Sequence, residues 1–392
     1  MANDIWGSLR ERYRPGPPRR LLALDGGGIR GVLTLELLFE IEQQLAKVTG
    51  RGPDFRLCQF FDYIAGTSTG AIIAAGLARG MSTAALLDFY TKLGPEIFKK
   101  ERLLLRLKHF YQSDPLVAQL QATYGASTTI APEHLQCLLL VVTRNVTTDS
   151  PWPISSAPVA KYNARDRGDC NLQIPLWQLV RASTAAPIYF PPEVLEWEKG
   201  NPDKSFVFVD GGMTPYNNPS FLLYRMATAP AYRLEWPTGE RKLMLVSVGT
   251  GASANLGPDA LAPETNIAAT LAGLPGALMN GASVDQDINC RVIGRCVFGA
   301  SIDSELGDMI PRRGDVPIPL ADDLGRHFLY ARYNADLSER GLAGLGLSDI
   351  DGAAVGKLDA VEQVPELRRV GRAAAKQVQL AEQFGELVTS AR

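Results

Sequence analysis

Residues 61–80 read FDYIAGTSTGAIIAAGLARG. A short apolar run, Phe61 to Ala65, stops at a glycine, and a segment rich in Ala and Ile follows. This pattern predicts a buried strand, a sharp turn and a helix. The turn carries Gly66-Thr67-Ser68-Thr69-Gly70, a G-x-S-x-G element, which has chemical meaning only in this strand-to-helix context. So tight a turn holds its serine in a strained backbone conformation, and glycines two positions to either side let the chain pass itself. Ser68 Oγ then stands clear of the sheet above a helix N-terminus, whose dipole favours negative charge. Ser68 is therefore read as a nucleophile. The plainer alternative is a helix-capping serine in a tight turn.

Upstream, residues 21–31 read LLALDGGGIRG. Gly26, Gly28 and Gly31 fit G-x-G-x-x-G, which serves a dinucleotide cradle when an acidic residue closes the second strand about 20 positions on. Here the second strand runs straight into the serine turn. Asp54 precedes it and Asp62 stands at its start, on the wrong side for a ribose. The glycines fit better as an oxyanion loop, with Gly27 and Gly28 aiming amides at the same point as Thr69. One such donor is typically worth roughly 10²–10³ in rate. Arg30 adds positive charge beside the loop.

A nucleophilic serine needs a base. The three histidines are His109, His134 and His327. Only His327 follows the plausible acids, and it sits in HFLYARY, a strand-like run without turn chemistry. Asp210, in FVFVDGGMTPYNNP, is better placed. It ends a β-branched strand before Gly211-Gly212, where α/β sheets carry their sites. Its plainer reading is an aspartate capping a turn.

The rest of the 392-residue chain supports a soluble α/β protein. Hydrophobic residues make up 46% and charged residues 21%, with a formal charge of −2, so no global charge favours nucleic acid. The five cysteines are scattered and odd in number, and no His or Cys spacing matches a metal site. Reduced thiols, no metal and no organic cofactor are expected. The N-terminus lacks an apolar signal core and no stretch is long enough to span a membrane, so a cytoplasmic protein, at most peripheral to a membrane, is expected.

Strands are predicted at 21–24, 61–65, 136–143, 205–210, 242–249 and 327–333. Helices are predicted at 32–48 (with Gly50 as C-terminal cap), 83–93, 174–183 and 217–227. This alternation implies a central, mostly parallel sheet flanked by helices. Residues 1–20, with Arg10, Arg12, Arg14, Arg19 and Arg20, read as a mobile basic arm. Residues 21–300 read as the catalytic domain, and 301–392 as a mostly helical extension packed on it. EIFKKERLLLRLKHF at 96–110 reads as a basic apolar helix, suited to an anionic lipid surface or to core packing with a solvated edge. The stretch 96–125 is the first segment expected to gate a cleft.

DGGGIRG at 25–31, GTSTG at 66–70 and DGG at 210–212 resemble the three signature blocks of the patatin-like phospholipases. RASTAAPIYFPP at 181–192 and NNP at 217–219 resemble two secondary blocks. The resemblance spans roughly residues 20–300 and implies a three-layer patatin-like α/β fold. It implies a Ser68–Asp210 dyad without histidine and an anion-stabilising loop of Gly26, Gly27, Gly28 and Arg30. The implied activity is acyl hydrolysis of membrane phospholipids or lysophospholipids. The alternatives are a membrane-degrading effector switched on by a nucleotide, a nucleotide-binding module on Gly26–Gly31, and a lipid-binding scaffold without catalysis.

Overall fold

The computed structural model describes residues 5–97, 115–187, 190–198, 200–252 and 267–390. Nine strands form one sheet: β1 Arg19–Leu24, β2 Tyr63–Thr67, β3 Leu138–Asn145, β4 Ser150–Ser155, β5 Glu193–Glu196, β6 Ser205–Asp210, β7 Leu243–Val248, β8 Arg295–Phe298 and β11 Leu329–Tyr333. Arg312–Arg313 and Val316–Pro317 (β9 and β10) make a separate short ladder. The main order is β5-β6-β3-β2-β1-β7-β11-β8, with β4 also paired to β3. From β3 to β8 every pair is parallel, whereas β4, β5 and β6 join antiparallel.

Period-two alternation sorts the strand residues into two cores. Leu22, Leu24, Ile64 and Val246 share one face with helices α1 (Gly31–Thr49), α2 (Thr69–Ala78) and α5 (Leu176–Ser183). Leu21, Ala23, Tyr63 and Leu245 face α6 (Ser220–Thr228) and α7 (Ile267–Ile293). Helices α3 (Thr83–Ile97) and α4 (Pro115–Tyr124) precede β3, and α8 (Val364–Ala375) packs on the α1 face. Both faces are thus covered, as a parallel sheet requires. Gly50 caps α1 in the left-handed region at φ 65°.

Two expectations about domain layout need correction. Residues 5–20 are a packed segment rather than a mobile arm. Leu9 and Tyr13 enter the second core, and the Tyr13 hydroxyl donates to Asp62 O at 2.6 Å. Arg12 pairs with the fully buried Asp62 carboxylate, and Arg19 and Arg20 are already in β1. Arg12 and Arg19 looked solvated because their acidic partner, Asp62, lies far along the chain.

Residue 300 is likewise no seam. β11 inserts between β7 and β8, so the last 92 residues supply an interior strand. Most of the predicted basic helix at 96–110, and most of the supposed gate at 96–125, lies outside the described residues.

Candidate active site

Gly66 and Gly70 explain the turn that presents Ser68. A Cβ on Gly66 would stand 2.1 Å from Gly70 O, and one on Gly70 would stand 2.3 Å from Leu24 O. Between them Ser68 is held at φ 54°, ψ −123°, a strained conformation for a residue with a side chain. Ser68 occupies the N-cap position of α2, but its side chain makes no capping bond. It points elsewhere: Ser68 Oγ donates to Asp210 Oδ2 at 2.6 Å. The Ser68 amide donates to Ser183 Oγ at 2.9 Å, and Ser183 in turn donates to Val142 O. Ser183 lies in the RASTAAPIYFPP stretch. Its role has no local sequence signal, because the contact depends on where β3 passes.

The sheet explains how residues 142 positions apart meet. β2 runs parallel to β3 and ends with Thr67 opposite Val142. β6 runs antiparallel to β3 and ends with Asp210 opposite Thr143. The two strands lie along the same partner and run towards each other, so their C-terminal ends converge at Ser68 and Asp210.

Asp210 is 5% exposed and has no ion pair among the described residues. Burial pushes its pKa up to about 6, against the opposing hydrogen bonds from Ser68 and the Gly212 amide. A neutral-pH base is better served by this value than by an ordinary carboxylate's. His327 takes no part. It precedes the N-terminal end of β11, whereas Ser68 and Asp210 stand at the C-terminal ends of β2 and β6, and its Nδ1 meets the Tyr224 hydroxyl at 2.6 Å.

The glycine loop lies alongside. A Cβ on Gly26 would stand 3.2 Å from Ser68 Cβ. The Gly26 amide is already committed to Asn217 O at 3.0 Å, and the Ile29 amide to Leu358 O at 2.9 Å. The amides of Gly27, Gly28 and Thr69 have no hydrogen-bond acceptor among the described residues. A phosphate cradle needs a fuller ring of free amides than this loop offers. Gly27 must be glycine, since a Cβ there would stand 2.2 Å from Thr250 Oγ1, and Gly28 has φ 59°.

Arg30 turns inward. Its Nη1 donates to Gly251 O at 3.1 Å and its Nε to Gly27 O at 3.4 Å, and burial lowers its pKa to about 10. It thereby grips the carbonyl of the Gly27–Gly28 peptide. Thr69, whose amide opens α2, is held through both its hydroxyl and its carbonyl by the Tyr90 hydroxyl of α3. Tyr90 also carried no sequence signal, since an aromatic at helical spacing reads as core.

The fold and this paired Ser–Asp geometry define an α/β protein with a serine at a strained strand-to-helix elbow. A family model described as patatin-like phospholipase matches residues 22–223, and the chain belongs to that family. It is 27% identical over 353 residues to a cGAMP-activated phospholipase of Vibrio cholerae, covering 83% of this chain and 92% of that protein. It is 28% identical to patatin-T5 of Solanum tuberosum, covering 62% of this chain and 64% of the relative. Among solved structures, human GIVD cytosolic phospholipase A2 aligns over 99% of this chain and 63% of its own, at 11% identity and a TM-score of 0.41. No described helix is long and apolar enough to cross a membrane.

Proposed function

We propose that this chain is a serine acyl hydrolase that releases fatty acids from phospholipids or lysophospholipids at a membrane surface. Ser68 Oγ attacks the ester carbonyl carbon while Asp210 Oδ2 accepts the serine proton. The tetrahedral oxyanion rests on the amides of Gly27, Gly28 and Thr69, with Gly26 and Arg30 holding the loop in shape. Collapse expels the alcohol, which takes its proton from Asp210. Asp210 then draws a proton from water as that water attacks the acyl-serine; the second adduct collapses with cleavage of the C–Oγ bond, Asp210 returns the proton to Ser68 Oγ, and the fatty acid leaves. The observation that carries this reading is the 2.6 Å contact from Ser68 Oγ to a buried carboxylate that has no ion pair among the described residues.

The test is fatty-acid release from mixed phospholipid vesicles by wild type, Ser68→Ala and Asp210→Ala, with folding checked by circular dichroism. Release by wild type that both folded variants lose supports the dyad. Equal release by all three overturns it. Because Asp210 must be ionised to act, kcat/KM should fall below about pH 6, the position to which burial moves its pKa. An acid limb near the ordinary carboxylate value would count against Asp210 as the base.

A second reading is favoured by one observation. The Vibrio relative aligns well past the residues of the family match and is named as cGAMP-activated. On this reading the enzyme is a membrane-degrading effector, silent on vesicles until a cyclic dinucleotide is added. Addition of cGAMP to the same assay separates the two readings.

A further inference from the structure

Asn217 takes no part in the chemistry above, yet it meets Gly26 three times. Its backbone carbonyl accepts the Gly26 amide at 3.0 Å. Its Nδ2 donates to Gly26 O at 3.4 Å and to Ser283 Oγ at 3.0 Å. Its buried Oδ1 has no hydrogen-bond partner among the described residues and lies 2.4 Å from where a Cβ on Gly26 would stand. The orientation of the carboxamide is settled by these neighbours, since a flipped amide would set acceptor against acceptor at Gly26 O. Thr250 Oγ1 donates to the same carbonyl at 3.1 Å. Gly26 O is therefore held by two donors from different parts of the chain.

The consequence follows from peptide geometry. A planar trans peptide keeps its C=O and N–H on opposite sides, and no peptide among the described residues is cis. Holding Gly26 O therefore fixes the direction of the Gly27 N–H, one of the free amides beside Ser68. We infer that Asn217 is a positioning residue: with Thr250, it sets the direction of the Gly27 N–H as an oxyanion donor. Asn217 follows Asp210 by seven positions, so one short segment carries the base and one hand of the clamp. Asn218 ties that segment down, accepting from Ser247 Oγ and donating to Ser283 O. This inference rests on the acyl-hydrolase reading.

Steady-state kinetics with p-nitrophenyl butyrate test it. Loss of a whole oxyanion donor costs roughly 10²–10³ in kcat, so misdirection of one by Asn217→Ala should cost about 10–100-fold, with KM little changed. The acid limb should stay near pH 6, because Asp210 keeps its surroundings. Thr250→Val should lower kcat in the same way and Thr250→Ser should restore it. Unchanged kcat in both Asn217→Ala and Thr250→Val, with Ser68→Ala inactive, overturns the inference and leaves the hydrolase reading intact. A change confined to KM overturns it too. Activity retained by Ser68→Ala instead sinks the hydrolase reading itself. If Asn217→Ala does not fold, the Thr250 pair decides alone, and equal kcat in Thr250→Val and Thr250→Ser overturns the inference.

Discussion

The tripeptide Asp-Gly-Gly occurs at 25–27 and again at 210–212, each time where a strand of the sheet ends. Both carboxylates are buried, at 4% and 5% exposure. Their fates differ. Asp25 is gripped by Arg332 through two hydrogen bonds, of 2.8 and 2.5 Å, and Arg332 also donates to Ser247 Oγ. Burial disfavours the Arg332 charge, but the Asp25 carboxylate more than restores it, and its pKa rises. Among the described residues Asp210 meets only a hydroxyl and an amide. A paired carboxylate is an anchor, whereas one that meets no cation and accepts a hydroxyl proton can act as a base. The local sequence is the same at both places. A partner 307 residues away makes the difference.

The contrast can be broken in four ways. Asp210→Asn should lower kcat on the order of 10⁴-fold, since loss of one member of a catalytic unit costs about that much. A variant with near-wild-type kcat would remove Asp210 from the chemistry. Asp25→Ala leaves a buried guanidinium unpaired and should cost about 3–5 kcal/mol in urea unfolding. A loss within the range of a surface substitution would show that the pair anchors nothing.

Burial raises the pKa of both aspartates, but only Asp25 has the Arg332 charge to oppose it, so their substitutions should change stability in opposite directions. The folded pKa of Asp210 is raised from 3.8 to about 6, so its ionisation opposes folding as pH rises through that window. Asp210→Asn should therefore be more stable than wild type above pH 6, by about 3 kcal/mol. The difference should vanish near pH 4, and thermal unfolding across pH 4–8 reads it directly. The smallest effect is expected from Ser247→Ala, which removes one acceptor from Arg332 and should cost about 1–2 kcal/mol in the same measurement.

What could be read from the sequence follows the same division between local and distant causes. The strands at β1, β2, β3, β6, β7 and β11 were legible because each is a compact apolar run between turn residues. Ser68, Asp210 and the glycines could be picked out as candidates because turns at strand ends favour particular residues at fixed spacing. β4 was missed because Pro151 and Pro153 argue against a strand, and it survives beside β3 as an edge element. Helix α7 was missed because Pro275 and three glycines interrupt its pattern. Asn217 appeared only as part of a motif, since its work is defined by Gly26, nearly two hundred residues earlier. Asp62 and Arg332 were invisible for the same reason: an ion pair has no signature in either of its neighbourhoods.

The insertion of β11 between β7 and β8 also bears on synthesis. The aspartate that opens the glycine loop leaves the ribosome 307 residues ahead of its guanidinium partner. At 5–20 residues per second that gap lasts roughly 15–60 s. Throughout it the sheet lacks an interior strand and the loop lacks its anchor. A chain broken off before residue 332 would thus carry Ser68 and Asp210 on a sheet without β11, beside a glycine loop whose aspartate has no guanidinium to hold it.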